Sequence, residues 1–285
     1  MSKINLGIIG HHVSHTLSPR IQTEAIQAHQ LPYTYGVLDV SAEMLPALLR
    51  SLNACNFRGV NVTIPYKQAV IPLLDHLSEE ARAIGAVNTI VNENGKLHGY
   101  NTDVFGIQKS LEPFADELHN TTVTVLGAGG AARAVLYSLT HNFSPSKIFL
   151  YNRSVQKAKE LTNEFQKKIP HVRFALIETE EVLRSALKQS LLIVNTTSVG
   201  MKPHTGAMPI PSPYSLSNNQ IIFDIIYNPV ETELLRHAAS VHARTINGVE
   251  MLVHQGARSF ELWTKKPFPI ERARTALIEE LHKQK

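Results

Sequence analysis

At 285 residues the chain is long enough for about two domains of ~150 residues, each able to bury its own core. Hydrophobic residues make up 43% and charged residues 18%, and no apolar run approaches the ~20 residues that cross a bilayer, which excludes a membrane-spanning helix. The 28 Lys and Arg against 24 Asp and Glu leave a net charge of +4 that is scattered along the chain, so no nucleic-acid partner is expected and a small anionic ligand suits the balance better.

The opening residues 1–7 have no basic segment followed by a long apolar stretch, so a cytoplasmic protein is expected. The single cysteine, Cys55, lies near Leu52 and Phe57 and reads as a small buried hydrophobe with no disulfide and no redox role. Residues 3–10 and 33–40 are short apolar stretches that predict strands, each followed by a helix start: Ser18 before Pro19, and Ser41 with Glu43 in the first turn. Residues 57–64 predict a third strand. Segments 87–91 and 96–100 flank Asn94-Gly95, a pair suited to a type I′ hairpin.

From Thr121 the pattern restarts with a buried-strand run, a group of glycines and a helical stretch over 131–140. Strand-like runs at 147–151, 191–195 and 221–225 alternate with helical stretches near 155–165 and 179–187, the alternation of a doubly wound parallel sheet. Residues 203–219, rich in Pro, Ser and Asn, read as a mobile loop. Two further helices follow from Asn247, with Val249, Leu252, Val253, Phe260 and Leu262 as apolar positions of the first.

Gly127-Ala128-Gly129-Gly130-Ala131-Ala132 fits G-x-G-x-x-A directly after a strand and at the mouth of a helix. Two glycines let the backbone approach a pyrophosphate, and the helix N-terminus offers unpaired N–H groups to it. The next strand ends at Tyr151-Asn152-Arg153-Ser154, where an NAD site would place an acid for the adenosine ribose. Arg153, with Asn152, Ser154 and Lys157, offers cationic and polar donors to a 2′-phosphate instead, which favours NADP over NAD.

Four segments of the first hundred residues carry hydroxyl, amide and ionisable side chains: His15-Thr16-Leu17-Ser18-Pro19, Asn61-Val62-Thr63-Ile64-Pro65-Tyr66-Lys67, Gly85-Ala86-Val87-Asn88-Thr89 and Gly99-Tyr100-Asn101-Thr102-Asp103-Val104-Phe105-Gly106. Such a set suits a ligand with several hydroxyls. Taken one at a time, each residue has a plainer role. Lys67 fits an exposed lysine after a proline turn, Asp103 a first-turn acid, Ser18 an N-cap, Asn88 a partner for hairpin backbone, and Thr63 a strand residue. His11, His12 and His15 lie close together, but nothing supplies the carboxylate or thiolate ligands that usually accompany such sites, and no metal is expected.

Read together, these segments resemble the shikimate dehydrogenase family, of the shikimate/quinate 5-dehydrogenase type, over nearly the whole chain. Asn195-Thr196-Thr197-Ser198-Val199-Gly200-Met201, the run from Asp224 to Pro229, and the run from Asn247 to Ala257 agree with it as well. The resemblance implies an α/β chain in which residues 1–104 and 245–285 form a substrate domain and residues 105–244 a Rossmann-like, doubly wound NADP-binding domain. It implies NADP-dependent interconversion of shikimate and 3-dehydroshikimate, a step of aromatic amino-acid biosynthesis, by a monomer or homodimer. Carried over by position, Lys67 and Asp103 match the catalytic pair, and Thr16, Ser18, Thr63, Asn88, Tyr227 and Gln255 match substrate contacts. Thr196, Ser198, Ile225, Gly248 and Met251 join the glycine turn and the Asn152–Lys157 group as cofactor contacts. The chain departs from the pattern at His12, usually Pro; at Thr16, mostly Ser; and at Glu233, often Pro. The change at Thr16 leaves a quinate-using relative with broader substrate or NAD use as the alternative. A dinucleotide sensor without turnover is a second, disfavoured because it needs no Lys67–Asp103 pair.

Overall fold

Segments rich in Ile, Val and Leu that are too short to bury themselves as helices pair as strands, and two separate six-stranded sheets result. The structure is a computed structural model that describes residues 3–13, 15–210 and 216–283. It divides into two units, one formed by the chain up to Gly106 and from Leu252 onward, the other by Ile107–Met251. Both are α/β.

In chain order the first unit contains β1 (Ile4–Gly10), α1 (Ser18–Ala28), β2 (Tyr33–Asp39), α2 (Leu45–Ser51), β3 (Phe57–Val62), β4 (His76–Leu77), α3 (Glu79–Ile84), β5 (Thr89–Glu93), β6 (Lys96–Tyr100) and the start of α4 (Asp103–Leu111). The second holds α5 (Ala115–Leu118), β7 (Thr122–Leu126), α6 (Gly130–Ser138), β8 (Lys147–Tyr151), α7 (Val155–Lys168), β9 (Arg173–Leu176), α8 (Glu180–Gln189), β10 (Leu192–Asn195), β11 (Ile221–Asp224), α9 (Glu233–Ser240) and β12 (Arg244–Ile246). Helix α10 (Val249–Thr264) and α11 (Ile270–Lys283) return the chain to the first unit.

The first sheet has the order β2-β1-β3-β5-β6-β4. Strands β2, β1 and β3 are parallel, β5 runs antiparallel to β3 and to β6, and Asn94 and Gly95 turn the β5–β6 hairpin with φ of 54° and 87°, the two positive values a type I′ turn requires. Its core includes Ile9, Leu49, Val60, Val62, Ile90 and Leu97. The second sheet is parallel throughout in the order β12-β11-β10-β7-β8-β9, so the direction of winding reverses between β7 and β10. In a doubly wound sheet that reversal opens a crevice at the C-terminal ends of the two strands. Leu126, Leu183, Ile193, Ile222 and Leu234 pack in its core.

Several local expectations are corrected. Helix α2 begins at Leu45 instead of near Ser41, because Pro46 has no N–H to donate and belongs in a first turn. Ser18 opens α1 but does not cap it: the cap position is Leu17, and the Ser18 hydroxyl is taken up by Thr16. Cys55 is exposed, in the turn that follows α2. Strands β9 and β12 have no signature in the sequence: each opens on an arginine and lacks the three consecutive large apolar residues that mark the equally short β10 and β11. Of the loop expected over 203–219, residues 211–215 lie outside the described residues. Among the described residues no helix is long and apolar enough to cross a membrane.

Helix α10 is seated on the first sheet through Trp263, which is 1% exposed and whose indole Nε1 donates to the Ile90 carbonyl at 2.9 Å. Gly59 on β3 makes room for it, since a Cβ there would lie 2.2 Å from Nε1 and 2.4 Å from the Ile90 oxygen. Gly59→Ala is therefore expected to cost about 2–4 kcal/mol, combining overpacking with a strained hydrogen bond. Gly36→Ala on edge strand β2, where a Cβ would meet nothing within 4 Å, should stay within about 0.5 kcal/mol. Urea denaturation of both variants makes the comparison, and equal losses would show that Trp263 yields without cost.

Candidate active site

Topology gathers the polar segments of the first unit at one edge of its sheet. The parallel strands β1 and β3 end there, β6 ends there because it is antiparallel to a strand that is itself antiparallel to β3, and β5 begins there. Thr16 and Ser18 follow β1, Thr63 and Lys67 follow β3, Asn88 precedes β5, and Asp103 follows β6. Thr63 stands one residue beyond β3, where its N–H donates to the Ile9 carbonyl at 2.9 Å.

Lys67 and Asp103 meet: Nζ donates to Oδ2 at 2.5 Å, with the side chains only 15% and 5% exposed, so water screens the pair little. The other carboxylate oxygen, Oδ1, accepts from Asn88 Nδ2 at 2.8 Å. Asn88 is itself buried, and its Oδ1 accepts from the Thr102 main-chain N–H at 2.7 Å. A main-chain N–H can only donate, so it fixes which end of the amide faces Asp103. Gln255, on α10, brings Oε1 to 3.5 Å from the same Asn88 nitrogen. Nearby, Thr16 Oγ1 donates to Ser18 Oγ at 3.3 Å, and α1 is tied to α10 by Gln22 Nε2 donating to the Gly256 carbonyl at 2.9 Å. Beyond the residues expected from the sequence, Asn61, Thr89, Thr102 and Ser259 belong to this buried polar cluster. The first three stand inside the polar segments, but Ser259 had no signal except its spacing of four from Gln255.

In the second unit the glycine turn lies where the winding reverses. Gly127 follows β7 at φ +114°, and a Cβ on it would fall 2.3 Å from Thr196 Oγ1, whose hydroxyl donates to the Leu126 carbonyl. Position 127 thus needs glycine twice over. A Cβ on Gly129 would meet nothing within 4 Å, so the turn is open on the side where α6 begins. An open turn of this kind, with free N–H groups at a helix start, fits a pyrophosphate. Arg153, Ser154 and Lys157 are exposed around the start of α7, Asn152 is half-buried, and no acid lies among residues 151–157. Arg133 of α6 holds Glu164 of α7 with two hydrogen bonds of 2.9 and 2.7 Å. Burial raises the Glu164 carboxyl, but Arg133 and Lys168 outweigh it and bring it to about 2. Gly248 is a packing glycine: a Cβ there would meet the Ile225 carbonyl oxygen at 2.1 Å. Met251 is buried and Ser198 exposed. Tyr227, half-buried after β11, belongs to this unit and not to the one that holds the other expected substrate contacts. Among the described residues no group of three or more His, Cys, Asp or Glu is arranged to hold a metal ion; His11 Nδ1 lies 3.3 Å from Asp39 Oδ1.

The loops after β10 and β11 are held by a buried carboxylate. Asp224 Oδ1 accepts from Asn195 Nδ2 and the Ile226 N–H, and Oδ2 from the Thr232 hydroxyl that also caps α9. Burial nevertheless pushes its carboxyl up to about 6. The folded state therefore holds this proton more tightly than the unfolded chain does. Its contribution is unpenalised below about pH 4, and stability falls by up to about 3 kcal/mol as pH rises through 4 to 6. Asp224→Asn should remove this fall while keeping the Asn195 and Ile226 bonds. Urea melts of both proteins from pH 4 to 7 measure it, and parallel curves would refute it.

Comparison with known proteins accords with this geometry. Residues 8–90 match the model of the shikimate dehydrogenase substrate binding domain, residues 109–250 that of shikimate / quinate 5-dehydrogenase, and residues 248–278 that of the shikimate 5'-dehydrogenase C-terminal domain. A shikimate dehydrogenase (NADP(+)) of Carboxydothermus hydrogenoformans is 42% identical over 276 residues, covering 95% of each chain. The crystal structure of shikimate 5-dehydrogenase from Thermus thermophilus in complex with NADP(H) and shikimate superposes with a TM-score of 0.84 at 33% identity, over 97% of this chain and 99% of that one. Quinate dehydrogenase from Corynebacterium glutamicum in complex with NAD gives 0.86 at 28% identity, over 98% and 100%. With a single alignment spanning nearly its whole length at that identity, the chain belongs to the shikimate dehydrogenase family.

Proposed function

We propose that this chain catalyses the NADP-dependent interconversion of shikimate and 3-dehydroshikimate, a step toward aromatic amino acids. The observation that carries the reading is the Lys67–Asp103 contact, 2.5 Å long and nearly buried, beside an amide and hydroxyls suited to a ring with several hydroxyl groups. Oxidising the ring alcohol requires a group that takes the hydroxyl proton, and Lys67 Nζ is assigned that exchange. Asp103 holds the amine through Oδ2, while Asn88 keeps the carboxylate from turning. Thr16, Ser18, Thr63, Tyr227 and Gln255 are assigned to the carboxylate and the ring hydroxyls, where an unpaired polar group discriminates strongly against the wrong acid.

When bound, NADP supplies the hydride acceptor at nicotinamide C4. Residues 127–131 with the start of α6 would hold its pyrophosphate, Arg153 with Asn152, Ser154 and Lys157 its 2′-phosphate, and Thr196, Ser198, Ile225 and Met251 its nicotinamide side, with Gly248 shaping the backbone beneath. A second reading, in which quinate is also accepted, rests on Thr16 standing where the family mostly has Ser; its side chain is half-buried and bonded to Ser18.

Lys67→Met keeps the stem and removes the amine, so kcat should fall about 10²–10⁴-fold while NADP affinity stays near wild type. Asp103→Asn should be similarly slow, and the double variant should lose less than the product of the two. An assay at 340 nm crossing shikimate and quinate with NADP and NAD reads this out; wild-type kcat in Lys67→Met with either acid would end the assignment.

In the same assay Arg153→Ala should weaken NADP by about 1.5–3 kcal/mol, the scale of a charge-assisted hydrogen bond, and leave NAD almost unchanged. Equal losses for both cofactors would place the 2′-phosphate elsewhere.

A further inference from the structure

Three hydroxyl oxygens meet below the Lys67–Asp103 pair. Ser259 Oγ lies 2.8 Å from Thr89 Oγ1 and 3.0 Å from Thr102 Oγ1, and the two threonine oxygens are 3.2 Å apart. Thr89 and Ser259 are fully buried and Thr102 is 2% exposed. Asn61 Nδ2 donates into the trio, at 3.1 Å to Thr89 Oγ1 and 3.0 Å to Ser259 Oγ, while its Oδ1 accepts from the Tyr35 hydroxyl. The two threonines also reach the Asn88 side chain: Thr89 Oγ1 donates to Oδ1 at 3.0 Å, and Thr102 Oγ1 accepts from Nδ2 at 3.0 Å. Groups this deep are costly unless paired, so the cluster constrains its members to one arrangement.

Ser259 is the member that comes from α10. A serine inside a helix can satisfy its hydroxyl on the carbonyl one turn back, and Ser259 does reach the Gln255 carbonyl at 3.0 Å. Its contacts with both threonines and Asn61 go beyond that local need. Gln255 is four residues earlier on the same helix face, and its Oε1 lies 3.5 Å from Asn88 Nδ2. One turn later, Trp263 makes a further polar contact of α10 with β5, to the Ile90 carbonyl.

We propose that Ser259 is a positioning residue for substrate capture: its hydroxyl pins α10 to the Thr89–Thr102 edge and so holds Gln255 in register with Asn88 and Asp103. The inference rests on the dehydrogenase reading above, in which Gln255 touches the ring acid. It sets Ser259 apart from Trp263, which anchors the same helix but lies two turns from Gln255.

Steady-state kinetics with shikimate and NADP, together with thermal melts, test it on Ser259→Ala, Thr89→Val and Trp263→Phe. Ser259→Ala is expected to raise KM for shikimate about five- to tenfold, the scale of one hydrogen bond, with kcat within about twofold and the KM for NADP unchanged. Thr89→Val removes the partner hydroxyl from the strand side together with its bond to Asn88 Oδ1, so KM should rise at least as far, and a KM left near wild type there counts against the pin even if the helix variant folds poorly. Trp263→Phe should lower the melting temperature at least as much and leave KM for shikimate near wild type. A KM within twofold of wild type in both hydroxyl variants, or an equal rise in Trp263→Phe, would make Ser259 structural only and overturn the proposal. Wild-type protein that fails to oxidise shikimate with NADP under these conditions would instead overturn the dehydrogenase reading and this inference with it.

Discussion

Burying a carboxylate beside an ammonium is favourable only where the remaining lone pairs find donors. At Asp103 that condition is met by the Asn88 side chain, and much of the first unit is arranged around it. The Asn88 amide has one end committed to a main-chain N–H that cannot accept, so its other end must point at Asp103. Asp103 opens α4, and its own N–H is met by Asn101 Oδ1, whose Nδ2 reaches the Ala86 carbonyl. The beginning of the β5–β6 hairpin and the beginning of α4 are in this way one hydrogen-bonded piece. The carboxylate cannot swing, and Lys67 is aimed by it. A misplacement of about 1 Å in such a pair is costly to a proton transfer.

The second unit obeys a constraint of space more than of charge. Gly127 is pressed against Thr196 where the sheet reverses its winding, and Gly129 opens outward beside it. Close backbone approach, a helix N-terminus and the absence of a side chain make the place for a phosphate. Around the start of α7 the design is different. Arg153 and Lys157 are exposed cations, which contribute little to stability by themselves and gain value only with an anion present. The Arg133–Glu164 pair, half-buried and doubly hydrogen-bonded, holds the two helices of these sites together.

Asp224 shows how a buried charge can be kept without an ionic partner. Three donors from Asn195, Ile226 and Thr232 converge on it, and they join the ends of β10 and β11 to the start of α9. Burial still outweighs them, which is why its carboxyl titrates near 6. The rigidity of two loops therefore comes with a pH-dependent cost to stability.

Features that depend on neighbours along the chain are legible in the order of amino acids alone. Strand runs, the Asn94-Gly95 turn, the glycine turn between β7 and α6, and the absence of an acid after β8 can all be read because each obeys a local steric or periodic rule. Strands β9 and β12 escape because neither carries the three consecutive large apolar residues that mark the equally short β10 and β11, and at α2 the local preference of Pro46 for a first turn outweighs the Ser41 signal. Lys67 and Asp103 can be picked out by resemblance, but their 2.5 Å approach joins residues 36 positions apart and is a product of strand order. Ser259 lies beyond reach entirely. Apart from the Gln255 carbonyl one turn back, the partners of its hydroxyl are 157 to 198 residues away, and an isolated serine in an amphipathic helix carries no mark of what a distant sheet edge will present to it. That contact is settled in the packed fold and nowhere earlier, because a buried hydroxyl has to find its partners wherever the assembled strands leave them.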